Sequence, residues 1–358
     1  MTDRTYAEVK MRDLISDNCR VYSKLSDEYS KLLYEKRVMY SLTGDCRYIK
    51  EIIGTLPEKR IADEKMNKMI ALKDKLVIWG AGDDYGIMNR LYGGWECICF
   101  VDRAEDKQKK PFFGKKVISP EEFYSRYADY YVAVNSTAWH REIVENLSIH
   151  DIPEEHIIDL GEQYYSLYKK QYFDPDIIVL RNDEVFVDGG AFNGATSELF
   201  HQLTGGKYNK IIAFEPGKQN VRAMKLRGVE RKIANMELVE KGLWSAAENI
   251  SFSGDGTQGG KISSSESGYT ISTVCLDSLP DATDITFIKL DVEGAELEAL
   301  KGARNTIIKN HPKLAICLYH QPEDIFEIPA YILSLYDGYR FYIRHYQLSE
   351  CETVLYAV

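Results

Sequence analysis

Twice along this chain a short apolar run ends in a glycine-rich turn, and the next apolar run ends in an acid. The first pair is Lys75-Leu76-Val77-Ile78-Trp79, running into Gly80-Ala81-Gly82-Asp83-Asp84-Tyr85-Gly86, and Cys97-Ile98-Cys99-Phe100-Val101, ending at Asp102. The second is Glu184-Val185-Phe186-Val187, running into Asp188-Gly189-Gly190-Ala191-Phe192-Asn193-Gly194, and Lys210-Ile211-Ile212-Ala213-Phe214, ending at Glu215-Pro216. Apolar runs alternating with helix-length stretches imply parallel strands joined by right-handed crossovers. In such sheets a ligand lies at the carboxyl ends of the strands, and the acid accepts hydrogen bonds from ribose hydroxyls.

The remaining elements extend both patterns. Tyr130–Val134 reads as a further strand of the first module, with helices from Ser119 and over 141–147. In the second module the strands 236–239, 285–290 and 313–319 follow, with helices over 196–203, 219–227, 298–308 and 328–335. The strands 339–346 and 352–356 close the chain as an antiparallel hairpin. The Gly/Ser-rich stretch Ser251–Gly268 reads as a hairpin with a mobile tip. The expected organisation is a helical region over 1–74, a small Rossmann-like domain over 75–162, a linker helix over 163–173, and a larger Rossmann-like domain over 174–358 with a seven-stranded sheet. The N-terminal helices read as a cap or a homo-oligomerisation element, or equally as an arm packed on the next domain.

Charge and cysteine usage narrow the partners. In 358 residues, 45 Lys+Arg against 55 Asp+Glu give a formal net charge of −10. That lacks the positive field that draws a protein to nucleic acid or to anionic membranes. The N-terminus has no apolar signal core, and no apolar run reaches the ~20 residues of a membrane span. Seven cysteines, an odd number with no Cys-x-x-Cys pair, fit reduced thiols in the cytoplasm.

The two glycine turns differ in chemistry. The first is accompanied by no residues suited to hydride transfer, so a ligand-free Rossmann-like module is the plain alternative there. In the second, an Asp precedes the glycines and no third glycine is placed for pyrophosphate, which suits a nucleoside without phosphates, such as S-adenosylmethionine. Backbone groups at Asp188, Gly189, Gly190 and Asn193 would meet its amino-acid end. Glu215, with Pro216 beside it, would take the ribose, and Gly242-Leu243-Trp244 would form an adenine slot.

Residues 184–358 resemble the FkbM family of S-adenosylmethionine-dependent methyltransferases. The resemblance rests on Val187-Asp188-Gly189-Gly190-Ala191 with Asn193-Gly194, Phe214-Glu215-Pro216, Lys241-Gly242-Leu243-Trp244-Ser245, Leu276-Asp277-Ser278-Leu279, Ile288–Glu296 and Tyr319-His320-Gln321-Pro322-Glu323-Asp324. Ala195 departs from the pattern, standing where related sequences often carry a polar or acidic residue. Residues 75–160 resemble the small Rossmann-like domain found beside sugar-modifying enzymes. The resemblance implies a class I methyltransferase sheet and a hydroxyl acceptor on a sugar, glycan or other natural product.

Methyl transfer to a hydroxyl needs an aligned acceptor and a destination for its proton. Asp291 and Glu293 follow one predicted strand and His320 follows the next, so the three are expected to share a rim. His320 or Asp291 would act as general base. Alternatively Asp291, Glu293 and His320 would hold Mg²⁺ or Mn²⁺ and lower the acceptor's pKa. Plainer roles compete: Glu296 stabilising its helix N-terminus, Glu293 capping, His320 as a satisfied rim histidine. Two rival functions remain open at this point. One is a non-catalytic nucleotide-binding scaffold. The other is an NAD-dependent sugar-nucleotide oxidoreductase built on the first module, for which the catalytic Tyr/Lys or Cys pair is not found.

Overall fold

The strand Leu76–Trp79 (β1) is buried along its whole length because strands flank it on both sides and the helix residues Phe123 and Leu147 share a core with it. It belongs to a five-stranded sheet with Cys99–Val101 (β2), Val117–Ile118 (β3), Tyr131–Val134 (β4) and Ile157–Asp159 (β5), in the order β3-β2-β1-β4-β5. Every pair is parallel, which is why these strands read as continuous apolar runs. Val77, Trp79, Val101, Phe123, Val132 and Leu147 form its core. Cys97 and Cys99 are buried there, and burial pushes their thiols up to about 12 and about 11, so they pack rather than react.

This computed structural model describes residues 16–82, 84–86, 89, 93, 95–231, 233–253, 261–262 and 269–358. The expected hairpin tip within Ser251–Gly268 lies outside them. The chain divides into two compact units. One is Ile49–Lys169 with Tyr346–Glu350, and it holds the sheet just described. The other is Met1–Tyr48, Lys170–His345 and Cys351–Val358.

The second unit is built on Val185–Gly189 (β6), Lys210–Phe214 (β7) and Met236–Val239 (β8). A smaller sheet follows from Gly242–Leu243 (β9), Asn249–Ser253 (β10), Lys261–Ile262 (β11) and Tyr269–Val274 (β12), in the order β11-β10-β12-β9. The main sheet is completed by Phe287–Leu290 (β13), Lys313–Cys317 (β14), Phe341–His345 (β15) and Thr353–Ala357 (β16). Its seven strands run β15-β16-β14-β13-β6-β7-β8, with β16 antiparallel to both neighbours and the other pairs parallel. Beneath the centre, Phe186 stacks on Phe200 at 4.5 Å between ring centroids, and Phe173 meets Phe287 edge-on at 5.9 Å.

The helical region expected over 1–74 is divided between the units, at Tyr48. After the helix over 16–24, Leu25 bridges to Phe341, and the Ser26 amide donates to the Phe341 carbonyl at 2.8 Å. Asp27 then caps the helix Glu28–Thr43 through the Ser30 amide and pairs with Arg344 at 2.7 Å. This segment covers the edge strand β15, whose unpaired backbone would otherwise invite another chain. The linker helix runs Gly161–Lys170. Tyr172, expected on it, lies beyond its end at φ 67° and belongs to the second unit. Among the described residues no helix is long and apolar enough to cross a membrane.

Candidate active site

Three adjacent strands, β7, β6 and β13, deliver their carboxyl ends to one place. At the end of β6, Gly190 has φ 72°, and a Cβ there would stand 1.8 Å from the Asp291 carbonyl oxygen. Only glycine lets this turn pass over the end of β13. A Cβ on Gly189 would meet Leu290 and Leu243 at 2.7 and 2.9 Å, so the buried Leu243 packs directly under the turn.

Asp188 is fully buried, and both its oxygens are used inside the protein. Oδ2 accepts from the Ser197 hydroxyl at 2.7 Å, and Oδ1 from Lys289 Nζ at 3.1 Å. Its carboxylate therefore holds the turn, leaving its backbone for the cofactor role expected from sequence. Lys289 does the complementary work, donating also to the carbonyls of Gly189 at 3.0 Å and Gly190 at 2.8 Å. Burial opposes its charge, but the Asp188 and Asp291 carboxylates overcome burial and hold it above the ordinary lysine value. Sequence reasoning gave Lys289 no role; a lone cation inside the apolar run Phe287–Leu290 was the available signal. Asn193 accepts from the Ala195 amide at 3.1 Å, opening the helix Ala195–Leu203.

Glu215 ends β7. Its Oε1 accepts from the Gly217 amide at 2.8 Å and from Asn220 Nδ2 at 3.1 Å, and its Oε2 accepts from the Phe192 amide at 2.9 Å. A carboxylate has about four acceptor sites, so Oε2 retains one for a ligand. Burial raises its pKa against the pull of these donors. Pro216 stands beside Gly242, its Cγ 4.0 Å from where a Cβ would be. Trp244, half-buried, runs its carbonyl against Gly302, which has no room for a side chain. The buried acceptor Glu215, the glycine turn braced by Lys289 and the apolar Leu243 fit the donors and surface of a nucleoside.

Asp291, just past β13, is the centre of a second cluster. Tyr172 and Tyr319 donate hydroxyls to its Oδ2 and Oδ1 at 2.9 and 3.0 Å. Burial raises both tyrosine pKa values well above the ordinary range, so both stay donors. Against the cost of burial, Lys289, His320 and the two hydroxyls hold the Asp291 pKa below the ordinary carboxylate value. Asp291, Cys317 and Glu352 present atoms within 4.8 Å of one another. Burial and the Asp291 charge push Glu352 up to about 8. The Asp291–Glu352 pair titrates as a unit, with burial and the neighbouring charge favouring a shared proton. The tyrosines and Glu352 escaped sequence reasoning because they come from distant segments: the chain after the linker helix, the end of β14 and the turn before β16.

His320 joins the rim as expected. Its Nε2 lies 3.4 Å from Asp291 Oδ1 and 3.5 Å from Glu293 Oε2, and its Nδ1 lies 2.9 Å from Glu296 Oε1. The last is an ionic contact without the alignment of a hydrogen bond. Burial disfavours the imidazolium, but Glu296, Asp291 and Glu293 outweigh it and raise His320 to about 9. It is thus charged at neutral pH and cannot serve there as the resting general base. Glu293, at φ 58°, opens the turn before the helix Glu296–Gly302. Glu296 accepts from the amides of Val292 at 2.8 Å and Gly294 at 3.0 Å, which is the N-terminal stabilising role.

The metal set expected from sequence, Asp291, Glu293 and His320, differs from the set with ligand spacing, in which Glu296 replaces Glu293. In that set each Glu296 oxygen accepts from one backbone amide, and an ion would have to displace the proton that the surrounding carboxylates favour on His320.

In the other unit, Asp102 ends β2 as expected. It accepts from the Ala81 amide at 3.2 Å, the Ala104 amide at 2.9 Å and Lys107 Nζ at 2.9 Å.

A glycine turn and a ribose-type acid on a seven-stranded sheet with one reversed strand define a class I methyltransferase architecture. Residues 188–341 match the family described as the methyltransferase FkbM domain. Residues 188–341 thus carry an FkbM-type methyltransferase domain, and transfer from S-adenosylmethionine fits that class. Residues 72–158 match the family described as C2185-like, N-terminal. None of the curated proteins matches the chain. Among solved structures, the methyltransferase FkbM from Methylobacillus flagellatus KT is 22% identical, with 84% of this chain and 98% of that one covered and a TM-score of 0.47. An rRNA methylase from Streptococcus thermophilus is 15% identical, with 55% and 93% covered and a TM-score of 0.33. Fibrillarin from Aeropyrum pernix, with natively bound S-adenosyl-L-methionine, is 11% identical, with 55% and 74% covered and a TM-score of 0.33.

Proposed function

We propose that the chain is an S-adenosylmethionine-dependent O-methyltransferase acting on a hydroxyl of a sugar, glycan or other natural product. The observation that carries this is the convergence of Asp291, Glu293 and His320 on the rim beside the Gly189-Gly190 turn. Asp188, Gly189, Gly190, Asn193, Glu215, Pro216, Gly242, Leu243, Trp244 and Asp291 form the cofactor site, with Asp188 acting through Lys289 and the turn. Bound S-adenosylmethionine supplies an electrophilic methyl carbon whose sulfur leaves as a neutral thioether. The acceptor oxygen forms the new C–O bond, and its proton passes to the Asp291–Glu352 carboxylate pair. His320 is the cation that helps keep Asp291 ionised, with Glu293 beside it on the rim. The net charge of −10 disfavours a nucleic-acid acceptor, and seven free cysteines fit a cytoplasmic setting.

The test combines mass spectrometry of nucleoside retained through purification with transfer of a labelled methyl group to a panel of hydroxylated glycosides. Retained S-adenosylmethionine or S-adenosylhomocysteine with base-stable methyl ether products supports the reading. Methylation of amines or nucleic acid in place of hydroxyls overturns it.

A further inference from the structure

In the unit built on Ile49–Lys169, a cavity of about 530 Å³ opens at the carboxyl ends of the parallel strands. It sits where strand order reverses, between β1 and β4, the position at which such sheets take ligands. Its volume falls within the usual range for small-molecule sites. Gly80 has φ 119°, and a Cβ there would come within 2.3 Å of the Asn135 carbonyl oxygen. The turn after β1 therefore lies directly against the chain leaving β4.

Asn135 lines this cavity and is 2% exposed. Neither its Oδ1 nor its Nδ2 has a hydrogen-bond partner among the described residues. A buried amide with both ends unpaired is costly to keep. It is explained by a ligand that offers a donor and an acceptor side by side.

The walls limit what that ligand can be. Trp79, Tyr124, Trp139 and His150 supply ring surfaces, Tyr124 stacked on His150 at 3.7 Å. The lining's two cations are already engaged, Arg103 with Glu142 at 2.8 Å and Lys107 with Asp102 at 2.9 Å. Asp84 and Glu121 add two further carboxylates. A wall with more carboxylates than cations repels phosphate, and its acceptors suit hydroxyls.

We propose that this cavity binds an uncharged, hydroxyl-bearing ring compound, the chemistry shared by a monosaccharide and a nucleoside, with Asn135 as its central hydrogen-bonding group. Its lining comes entirely from the Ile49–Lys169 unit.

The test is saturation-transfer NMR with calorimetry on the full chain. S-adenosylhomocysteine is held at saturation so that the methyltransferase site is filled. The probes are methyl α-D-glucopyranoside, uridine and uridine monophosphate. Binding of the glucoside or of uridine is expected, and which of them binds identifies the source. Asn135→Leu should weaken that binding at least tenfold. Trp139→Ala, at a 52% exposed position, should weaken it severalfold. The proposal is overturned if none of the probes binds, or if the monophosphate binds tenfold more tightly than uridine. It is also overturned by unchanged binding in folded Asn135→Leu or, should that variant not fold, in Trp139→Ala.

Discussion

His320 Nδ1 lies 2.9 Å from Glu296 Oε1, while its Nε2 faces Asp291 and Glu293 at 3.4 and 3.5 Å. An imidazole enclosed by three carboxylates is a fixed cation at neutral pH. This changes the chemistry expected of it from taking a proton to holding Asp291 in its ionised form.

That arrangement makes stability depend on pH. The folded pKa of His320, about 9, is above the ordinary 6.5. Its contribution is therefore fully present below pH 6.5 and is lost as pH rises through about 9. The expected size is on the order of 3 kcal/mol. Thermal melts of wild type and His320→Gln should differ most at pH 6 and converge above pH 9. A difference that grows with pH would contradict the charged state.

Turnover should depend on the carboxylate pair. Asp291→Asn should lower kcat by about 10²–10⁴-fold. Because Glu352 is raised to about 8, the rate should climb as pH rises through that value and the pair loses its proton. Glu352→Gln should abolish that limb of the pH–rate profile. An unchanged profile in Glu352→Gln would remove Glu352 from the proton's path.

Cofactor affinity should follow Glu215. Glu215→Ala removes the ribose acceptor and should cost ~1.5–3 kcal/mol, roughly tenfold or more in affinity for S-adenosylmethionine. Asp102→Ala, in the other unit, should leave calorimetric affinity unaltered. A comparable loss in Asp102→Ala would move the cofactor to the wrong unit for this reading.

Lys289 and Asp188 should behave as a buried pair. Lys289→Met leaves the Asp188 charge without its cation and should destabilise the fold by about 3–5 kcal/mol in denaturant melts. Combining it with Asp188→Asn should recover part of that loss. Additive effects of the two substitutions would mean the pair is not coupled.

Divalent cations give a separate outcome. With a proton on His320 that an ion would have to displace, activity should survive EDTA. Loss to the chelator, restored by Mg²⁺ or Mn²⁺, would establish a metal mechanism.

The chain's own pattern determined the alternation of strands and helices, both glycine turns, and the acids Glu215 and Asp102 at strand ends. These features are local: a buried parallel strand must be continuously apolar, and a turn passing over Asp291 must be glycine at 190. The rim residues Asp291, Glu293 and His320 were legible for the same reason, since each closely follows an apolar run. What no local pattern carried was charge state and partnership. Asp188 points inward because Lys289, a hundred residues away, meets it across β6 and β13. Tyr172, Tyr319 and Glu352 reach Asp291 only once the sheet is assembled, and the split of the N-terminal helices follows from Leu25 and Asp27 meeting β15. A pKa depends on every charge within a few ångströms and on burial, both properties of the packed fold. The neutral or charged form of His320 was therefore decided by tertiary structure alone.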